Sequence, residues 1–317
     1  MNPWIYIHEK MSASVEVILL YVLQSHGSSP GRQGFTMAVG ADNSFSGSIG
    51  GGIMEHKFVE MAKVNLATGE VVSEVYKQVH DKIKEQNQSG MICSGEQSIF
   101  FYQLQPSDKS AIAALAASLK QYKNGTLTIS NGGISFSDAV PETDYHCEQE
   151  DPDDFVMVEK SGFKNQLCII GGGHCALALS QIMSMQDFYI RVYETREGLS
   201  TVIANQFAHE KIIIEDYSEL TELLPEGDNV YVPIMTFGYR TDDTSFRAIM
   251  HKRLKYIGIL GSMKKMEKMF DNYRQEKMDE QVLNVIHTPI GLSIKSETPA
   301  EIAISIAAQI IEVKNKK

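Results

Sequence analysis

The residues best suited to chemistry form a glycine-rich turn, Gly171-Gly172-Gly173-His174-Cys175-Ala176, which follows an apolar run and opens a helical pattern. In a dinucleotide-binding turn, one glycine permits the tight bend, another lets a phosphate approach the backbone, and a small residue allows close helix packing. Gly171, Gly173 and Ala176 fit these positions, while His174 either points into the site or caps the turn. The alternative is a strand–helix turn that binds no nucleotide.

A carboxylate follows this turn at the spacing expected of a nucleotide site. Glu194 ends the next predicted strand, about 20 residues after the turn, where an acidic side chain can accept a hydrogen bond from a ribose hydroxyl. The turn and its acidic partner together predict that Gly171, Gly173 and Glu194 contact a nucleotide or a related phosphate.

The N-terminal half contains two turns rich in small residues, 27–34 and 46–52. The second turn opens a predicted helix, whose N-terminal amide groups and dipole favour an anion. Arg32 in the first turn offers a guanidinium that can bind a phosphate through two hydrogen bonds. The candidate ligand contacts in these turns are Ser28, Ser29, Arg32, Gly50, Gly51 and Gly52.

Glu55 lies in the first turn of the helix that follows these glycines, and its role has two interpretations. It can hydrogen-bond an amine-bearing heterocycle, which would make it a ligand contact. Alternatively, it is a carboxylate that stabilises the helix N-terminus by ~0.3–1 kcal/mol.

Cys93 lies in a turn before Ser94-Gly95, where neighbouring amide groups can acidify a thiol. It is therefore a candidate soft-metal ligand or sulfur carrier, the alternative being a small residue buried at the start of a strand. The chain has four cysteines and no Cys-x-x-Cys pair, so a zinc ribbon or thioredoxin-like site is not supported. This cysteine usage predicts a reducing, cytoplasmic location.

Composition narrows the classes of partner. The chain has 317 residues, 43% of them apolar, and a net charge of −11, which predicts two globular domains and argues against nucleic acid or an anionic membrane as a partner. No apolar run approaches the ~20 residues that span a bilayer, and the N-terminus does not resemble a signal peptide. Protease, P-loop and serine-hydrolase motifs are absent from the sequence.

The chain divides into three segments with different sequence patterns. Residues 1–137 mix predicted strands and helices, which indicates an α+β domain with a helix and a hairpin as an extension. Residues 138–165 are rich in acidic side chains, which predicts a solvated connector with at most a short strand at 155–158. Residues 166–317 alternate strands with helices, which predicts a doubly wound, parallel, Rossmann-like sheet. Thr298 and Glu301 predict a capping box on a buried last helix.

Several motifs, taken in chain order, are more specific than any single glycine-rich turn. They are Gly27-Ser28-Ser29-Pro30, Gly47 to Gly52 with Glu55, Cys93-Ser94-Gly95, Gly171-x-Gly-His174, Tyr256 to Ser262, Pro289 to Leu292, and Thr298 to Ala303. This order resembles the XdhC/CoxI family of accessory proteins, which are associated with molybdenum hydroxylases such as xanthine dehydrogenase. The resemblance covers both domains and adds Gly261 and Ser262 to the candidate cofactor-binding residues.

The resemblance implies a protein that binds a molybdopterin-type molybdenum cofactor and supports its sulfuration and insertion into a xanthine dehydrogenase-like hydroxylase. Cys93 would then be a ligand to molybdenum or a sulfur carrier, and a cysteine desulfurase is an implied partner. The sequence departs from the family pattern at Phe237, where a His is usual, at Ser94, where a Gly is usual, and at Met263, where a basic residue is common. Ile53 favours the XdhC-like branch of the family, because CoxI-like members often carry a Cys at this position.

Two other functions remain open. One is an NAD(P)-dependent oxidoreductase with its dinucleotide on the turn at Gly171, and the other is a non-catalytic assembly subunit. The ligand is expected in the cleft between the domains, since such sites prefer domain interfaces and sheet switch points. The apolar last helix is compatible with a homodimer and equally with burial inside one chain.

Overall fold

The computed structural model describes residues 2–79, 95–151 and 154–316, so Cys93 lies outside the described residues. The chain divides into two compact units, Met1–Gly162 and Phe163–Lys317. No helix within the described ranges is long and apolar enough to cross a membrane.

The N-terminal unit is built from antiparallel strands and three helices among its described residues. Its strands form a sheet of order β3-β2-β1-β5-β4 and a second sheet of order β7-β6-β9-β8, which confirms the α+β prediction. The elements are α1 (Pro3–Ser12), β1 (Val17–Gly27), β2 (Thr36–Gly40), β3 (Phe45–Gly47), α2 (Gly52–Thr68), β4 (Ser73–Val79), β5 (Gly95–Gln103), α3 (Lys109–Lys120), β6 (Gly125–Ser130), β7 (Gly133–Ser137), β8 (Tyr145–Asp151) and β9 (Asp154–Ser161).

Strand β1 is the centre of this unit because its apolar run is buried on both faces. Successive side chains of a strand point to opposite sides, so the run serves two cores. Leu20 packs on one side with Phe58 of α2, and Leu19 packs on the other with Met157 of β9. Each such burial contributes roughly 1.5–3 kcal/mol. The strand fixes the position of the turn at residues 27–34, which follows directly.

The segment 138–165, expected to be a solvated connector, instead contributes β8 and β9 to the second sheet. Strand β9 alternates, with Phe155 and Met157 buried and the residues between them more exposed. Its Glu159 is also buried and accepts a 2.6 Å hydrogen bond from the Tyr21 hydroxyl. The number of acidic residues concealed β8 and all but the 155–158 part of β9. The boundary between the units falls after Gly162.

The C-terminal unit contains one parallel sheet of order β12-β11-β10-β13-β14-β15. Relative to chain order this is 3-2-1-4-5-6, the Rossmann arrangement, which confirms the predicted fold. The elements are β10 (Asn165–Ile170), α4 (His174–Met183), β11 (Phe188–Glu194), α5 (Ser200–Ala204), β12 (Glu210–Ile213), α6 (Leu220–Leu223), β13 (Gly227–Ile234), α7 (Tyr239–Ile249), β14 (Leu254–Ile259), α8 (Met263–Gln275), α9 (Glu280–Asn284), β15 (Ile286–His287) and α10 (Pro299–Asn315).

Strand order reverses between β10 and β13, so a crevice opens at the carboxyl ends of these two strands. Helix α10 begins with the predicted capping box, in which Glu301 N donates to Thr298 Oγ1 and Thr298 N donates to the Glu301 carboxylate. The helix buries Ile306 and Ile310 and packs against α4, while Ile304 stays exposed. Its apolar character is therefore explained largely by packing within this unit.

Candidate functional site

The two glycine-rich turns of the N-terminal unit pack backbone against backbone. A Cβ atom at Gly31 would lie 2.2 Å from the carbonyl oxygen of Ile49, and one at Gly50 would lie 2.5 Å from the amide nitrogen of Gly31. Both distances are too short for any side chain, so these positions require glycine. The sequence motif thus reflects a close contact between the turns 27–34 and 46–52.

The start of β5 lies against the first of these turns. A Cβ atom at Gly95 would lie 2.6 Å from the amide nitrogen of Ser29. The buried Gln97 accepts a 3.1 Å hydrogen bond from Gly31 N, and Ser29 Oγ donates to Gly31 O at 3.0 Å. Sequence reasoning missed Gln97 because its partner lies 66 residues away. Cys93 precedes Gly95 by two residues outside the described ranges, and its role stays a prediction.

The carboxylate of Glu55 accepts hydrogen bonds from the turn that precedes its own helix. One of its carboxylate oxygens accepts hydrogen bonds from Ser48 Oγ at 2.6 Å, Ile49 N at 2.9 Å and Gly51 N at 3.0 Å. This geometry matches the second interpretation, a carboxylate at the helix N-terminus. Gly50 N donates to Ser48 Oγ at 3.1 Å. An external anion at the amides of Gly50 and Gly51 would therefore have to displace these internal contacts.

Arg32 and Ser28 remain the exposed polar side chains of the first turn, whereas Ser29 is buried. Arg32 donates one hydrogen bond of 3.0 Å, to the carbonyl oxygen of Gly27. A guanidinium has five N–H donors, so this hydrogen bond leaves most of the donors for another acceptor. Arg32 and Ser28 are the predicted residues of this turn with side chains that a ligand can reach.

In the C-terminal unit the three glycines after β10 have different surroundings. Gly171 has a φ angle of +96°, and a Cβ atom there would lie 2.4 Å from the carbonyl oxygen of Met235. A Cβ atom at Gly172 would lie 2.2 Å from Val202 Cγ2. A Cβ atom at Gly173 would meet nothing within 4 Å. Gly171 thus makes the tight turn, and Gly173 faces the open space that the predicted phosphate approach requires.

Glu194 lies where the sequence predicted, at the end of β11, which pairs in parallel with β10. Its side chain has 0% exposure. One oxygen accepts from Gly172 N at 2.8 Å and Arg196 Nη2 at 2.7 Å, while the other accepts from Thr195 N at 2.9 Å and Arg196 Nε at 3.0 Å. Glu194 therefore fixes the glycine turn, and a ribose hydroxyl would have to displace one of these donors.

The pKa of Glu194 reflects this set of donors. Burial by itself would raise the pKa, but hydrogen bonds from the Arg196 side chain and from the backbone of Gly172 and Arg196 outweigh burial and lower it to about 2. The carboxylate is consequently charged at neutral pH and holds Arg196 in place.

Arg196 and Phe237 form the exposed part of this cluster. The guanidinium carbon of Arg196 lies 4.8 Å from the centre of the Phe237 ring, a cation–π distance. The side chain of Arg196 is 41% exposed, and Phe237 is 61% exposed. Sequence reasoning missed Arg196, although its position two residues after the strand-end acid was a usable signal. Phe237, which departs from the family pattern, lies just beyond the end of β13.

The other predicted residues of this unit lie at helix starts. His174 is exposed at the first position of α4. Ser262 caps α8, its hydroxyl accepting from Lys265 N at 3.4 Å. A Cβ atom at Gly261 would lie 2.8 Å from Met266 Cε, the flexible end of a side chain of α8. Both α4 and α8 begin on the carboxyl side of the strands that precede them.

A buried ion pair near the same sheet edge was not predicted. Asp242 of α7 is fully buried and bonds Lys265 Nζ, Thr236 N at 3.1 Å and Thr236 Oγ1 at 2.5 Å. Lys265 Nζ also donates to Leu260 O at 3.2 Å. Burial raises the pKa of Asp242, although hydrogen bonds from Lys265 and Thr236 oppose that effect. The pair ties the ends of β13 and β14 together.

Within the ranges that the structure describes, no group of three or more His, Cys, Asp or Glu side chains is placed to hold a metal ion. The thiols that are described, Cys147, Cys168 and Cys175, are free. Burial raises the pKa of all three, which is the opposite of what an activated thiolate needs.

The chain is similar to several known proteins. It is 28% identical over 163 residues to the protein YqeB of Escherichia coli (strain K12), covering 50% of this chain and 29% of that one. It is 23% identical over 171 residues to a probable xanthine dehydrogenase subunit of Bacillus subtilis (strain 168), covering 54% of this chain and 49% of that one. The matched stretch is thus less than half of each of these relatives.

A crystal structure described as a xanthine dehydrogenase from Bacillus halodurans shares the fold, with a TM-score of 0.73 and 22% identity over 99% of this chain and 97% of that one. The family model for the XdhC and CoxI family matches residues 11–76, and the model for the XdhC Rossmann domain matches residues 167–310. One model matches a part of the N-terminal unit and the other most of the C-terminal unit, in the expected order, and the chain belongs to the XdhC and CoxI family.

Proposed function

We propose that this protein is an XdhC-like accessory protein that binds a molybdopterin-type molybdenum cofactor as its cargo. It would support the sulfuration of that cofactor and its insertion into a xanthine dehydrogenase-like hydroxylase. The observation that carries the proposal is the match of both family models in order. The name of the Bacillus subtilis relative, a probable xanthine dehydrogenase subunit, supports a hydroxylase of this class as the partner.

The cargo has two chemical features that residues of this chain suit. Its phosphate fits the turn at Gly173, where the backbone is open and α4 begins. Its molybdenum takes soft sulfur ligands in this chemistry, and the thiolate of Cys93 would be such a ligand. The proposal for Cys93 rests on the sequence match at Cys93-Ser94-Gly95, with a cysteine desulfurase as the source of sulfur. Such a thiol chemistry requires a reducing compartment, in agreement with a cytoplasmic location.

A second candidate function is an NAD(P)-dependent oxidoreductase. The Rossmann strand order and the open backbone at Gly173 favour it, because this combination accepts a dinucleotide pyrophosphate. In that case the nicotinamide would carry the chemistry, and the protein would not require a thiol ligand. The two functions therefore differ in their dependence on Cys93 and on a partner enzyme.

Reconstitution tests the proposal. A cofactor-free xanthine dehydrogenase-like hydroxylase is incubated with purified molybdenum cofactor and a cysteine desulfurase system, with and without the full-length protein. The proposed function predicts at least a tenfold higher hydroxylase activity when the protein is present. Equal activation without the protein would refute the insertion role. Turnover of NADPH or NADH by the protein alone would favour the oxidoreductase.

A further inference from the structure

We infer that the crevice of the C-terminal unit selects a ligand that contains both a phosphomonoester and a planar aromatic ring, with Arg196 binding the phosphate and Phe237 the ring. This goes beyond the proposed function, because it assigns a chemical selectivity to residues of one unit and does not require a partner enzyme. The alternative ligand for this position is an unphosphorylated ribose diol, which Glu194 would bind.

Glu194 faces the protein and not the crevice. Its side chain has no exposed surface, and its two oxygens accept hydrogen bonds from Gly172, Thr195 and Arg196. A ribose diol binds at such a position by donating to the carboxylate, which requires free acceptor positions facing the ligand. Breaking the pair with Arg196 to create them would leave a buried charge without its partner, which is costly.

The exposed charge at the end of β11 is positive. Arg196 uses Nε and Nη2 to bind Glu194. A guanidinium has five N–H donors, so the two bonds to Glu194 leave three for another acceptor. The side chain is 41% exposed, and Glu194 holds the guanidinium in a fixed orientation. A phosphate, which a guanidinium binds through two parallel hydrogen bonds, matches these donors better than a neutral hydroxyl pair.

An aromatic ring lies beside this cation. Phe237 is one of the large apolar side chains that remain exposed, and its ring lies 4.8 Å from the Arg196 guanidinium carbon. An exposed aromatic ring at the carboxyl edge of a parallel sheet offers a surface on which a flat heterocycle can stack. The open backbone at Gly173 lies in the same turn as Gly172, whose amide shares a Glu194 oxygen with Arg196. Gly173, Arg196 and Phe237 thus follow three adjacent strands, β10, β11 and β13.

Two sources supply this chemistry, a nucleotide with a 2′-phosphate and a phosphorylated pterin. Calorimetric titration of the full-length protein with two matched pairs distinguishes them: NADP⁺ against NAD⁺, and neopterin monophosphate against neopterin. In at least one pair, we expect the phosphomonoester to bind at least tenfold more tightly. The advantage should fall as salt is raised, because the contact is an exposed ion pair. The pair that shows the preference identifies the source.

Variants assign the preference to residues. Arg196→Gln should reduce the ratio within the pair to about twofold or less, and Phe237→Leu should weaken both members of the pair by a similar factor. Arg253→Gln is the matched control, because Arg253 also pairs with an acid, Asp228, but precedes β14 at the opposite edge of the sheet. Should Arg196→Gln fail to fold, Arg196→Lys keeps a cation beside Glu194 without the planar fork, and should lower the ratio at least threefold.

Three results would overturn the inference: no preference for the phosphomonoester in either pair, a ratio that survives in a folded Arg196→Gln protein, or no binding of any of the four probes. None of these measurements involves a hydroxylase. Failure of reconstitution would therefore leave this inference intact, and failure of the selectivity would leave the accessory function to be judged by reconstitution alone.

Discussion

Gly172 and Gly173 are adjacent in the turn after β10, but a methyl group at each would meet different surroundings. At Gly172 the new Cβ would lie 2.2 Å from Val202 Cγ2, and Val202 is buried and β-branched, so it has little freedom to move. Overpacking of this kind costs about 1–3 kcal/mol. We therefore expect Gly172→Ala to lower the free energy of unfolding of the C-terminal unit by that amount.

At Gly173 the same substitution meets open space, and the φ angle of −70° suits any residue. Loss of chain entropy in the unfolded state favours alanine by about 0.4–1 kcal/mol. Gly173 is also the N-cap residue of α4, where alanine is less favourable than glycine. The two effects oppose each other, so Gly173→Ala should stay within about 1 kcal/mol of the wild type. Gly173→Val should fold as well, but its larger side chain occupies the space of a bound phosphate.

The assay combines urea unfolding, followed by hydrogen exchange of β10 and β11 amides, with titration of NADP⁺ and neopterin monophosphate. Trp4 belongs to the N-terminal unit, so its fluorescence would not report on these variants. Whichever probe binds the wild type should bind Gly173→Val at least tenfold more weakly, which corresponds to about 1.4 kcal/mol. Unchanged affinity in a folded Gly173→Val protein would show that the turn is structural only. A loss of stability in Gly173→Ala equal to that in Gly172→Ala would refute the steric reasoning.

Three further predictions concern single side chains. The pKa of Glu194 is about 2, against 4.5 when unperturbed, so this carboxylate stabilises the fold above about pH 5 and loses that effect as the pH falls toward 2. Glu194→Gln should cost about 2–3 kcal/mol at pH 7 and about half as much at pH 3, measured by urea unfolding; an equal cost at both pH values would contradict the charge-based explanation. Burial lowers the pKa of His209, whose Nδ1 accepts a hydrogen bond from Ile190 N at 2.9 Å. The folded protein therefore favours the neutral ring, and this contribution to stability is lost as the pH drops below about 6.5, the pKa of the unfolded chain. His209→Asn, which keeps an acceptor, should flatten the change in melting temperature between pH 7.5 and pH 5.5, and an unchanged slope would assign that dependence to other groups. Cys93→Ser should leave folding and dinucleotide binding intact but lower cofactor retention and hydroxylase activation at least fivefold; normal reconstitution with this variant would remove Cys93 from the mechanism.

Local signals explain why most of the fold could be predicted. The capping box of Thr298 and Glu301, the tight turn at Gly171 and the alternation of strands with helices all act over a few residues, and each is present in the structure. Helix α1 was missed, although Asn2 caps it and Pro3 begins it, a usable signal. Strand β9 was expected only as a short strand at 155–158, because the acidic residues around it indicated a solvated connector.

Pairings between distant residues explain what could not be predicted. Tyr21 and Glu159 are 138 residues apart, and Asp242 and Lys265 are 23 apart, so neither pair leaves a local pattern in the sequence. The position of Glu194 followed from strand spacing, but the direction of its carboxylate depends on Arg196, which competes with any ligand for the same oxygens. Spacing therefore placed Glu194 beside the glycine turn, and packing decided which side chain faces the crevice.

The most direct test of the accessory function is the identity of the small molecule that the protein carries. The full-length chain is purified from a molybdenum-replete host, and the released small molecules and metal are identified by mass spectrometry. The proposed function predicts a pterin phosphate together with molybdenum, in an amount approaching one per chain. A nicotinamide dinucleotide with no pterin, or a protein that carries neither pterin nor molybdenum, would contradict it.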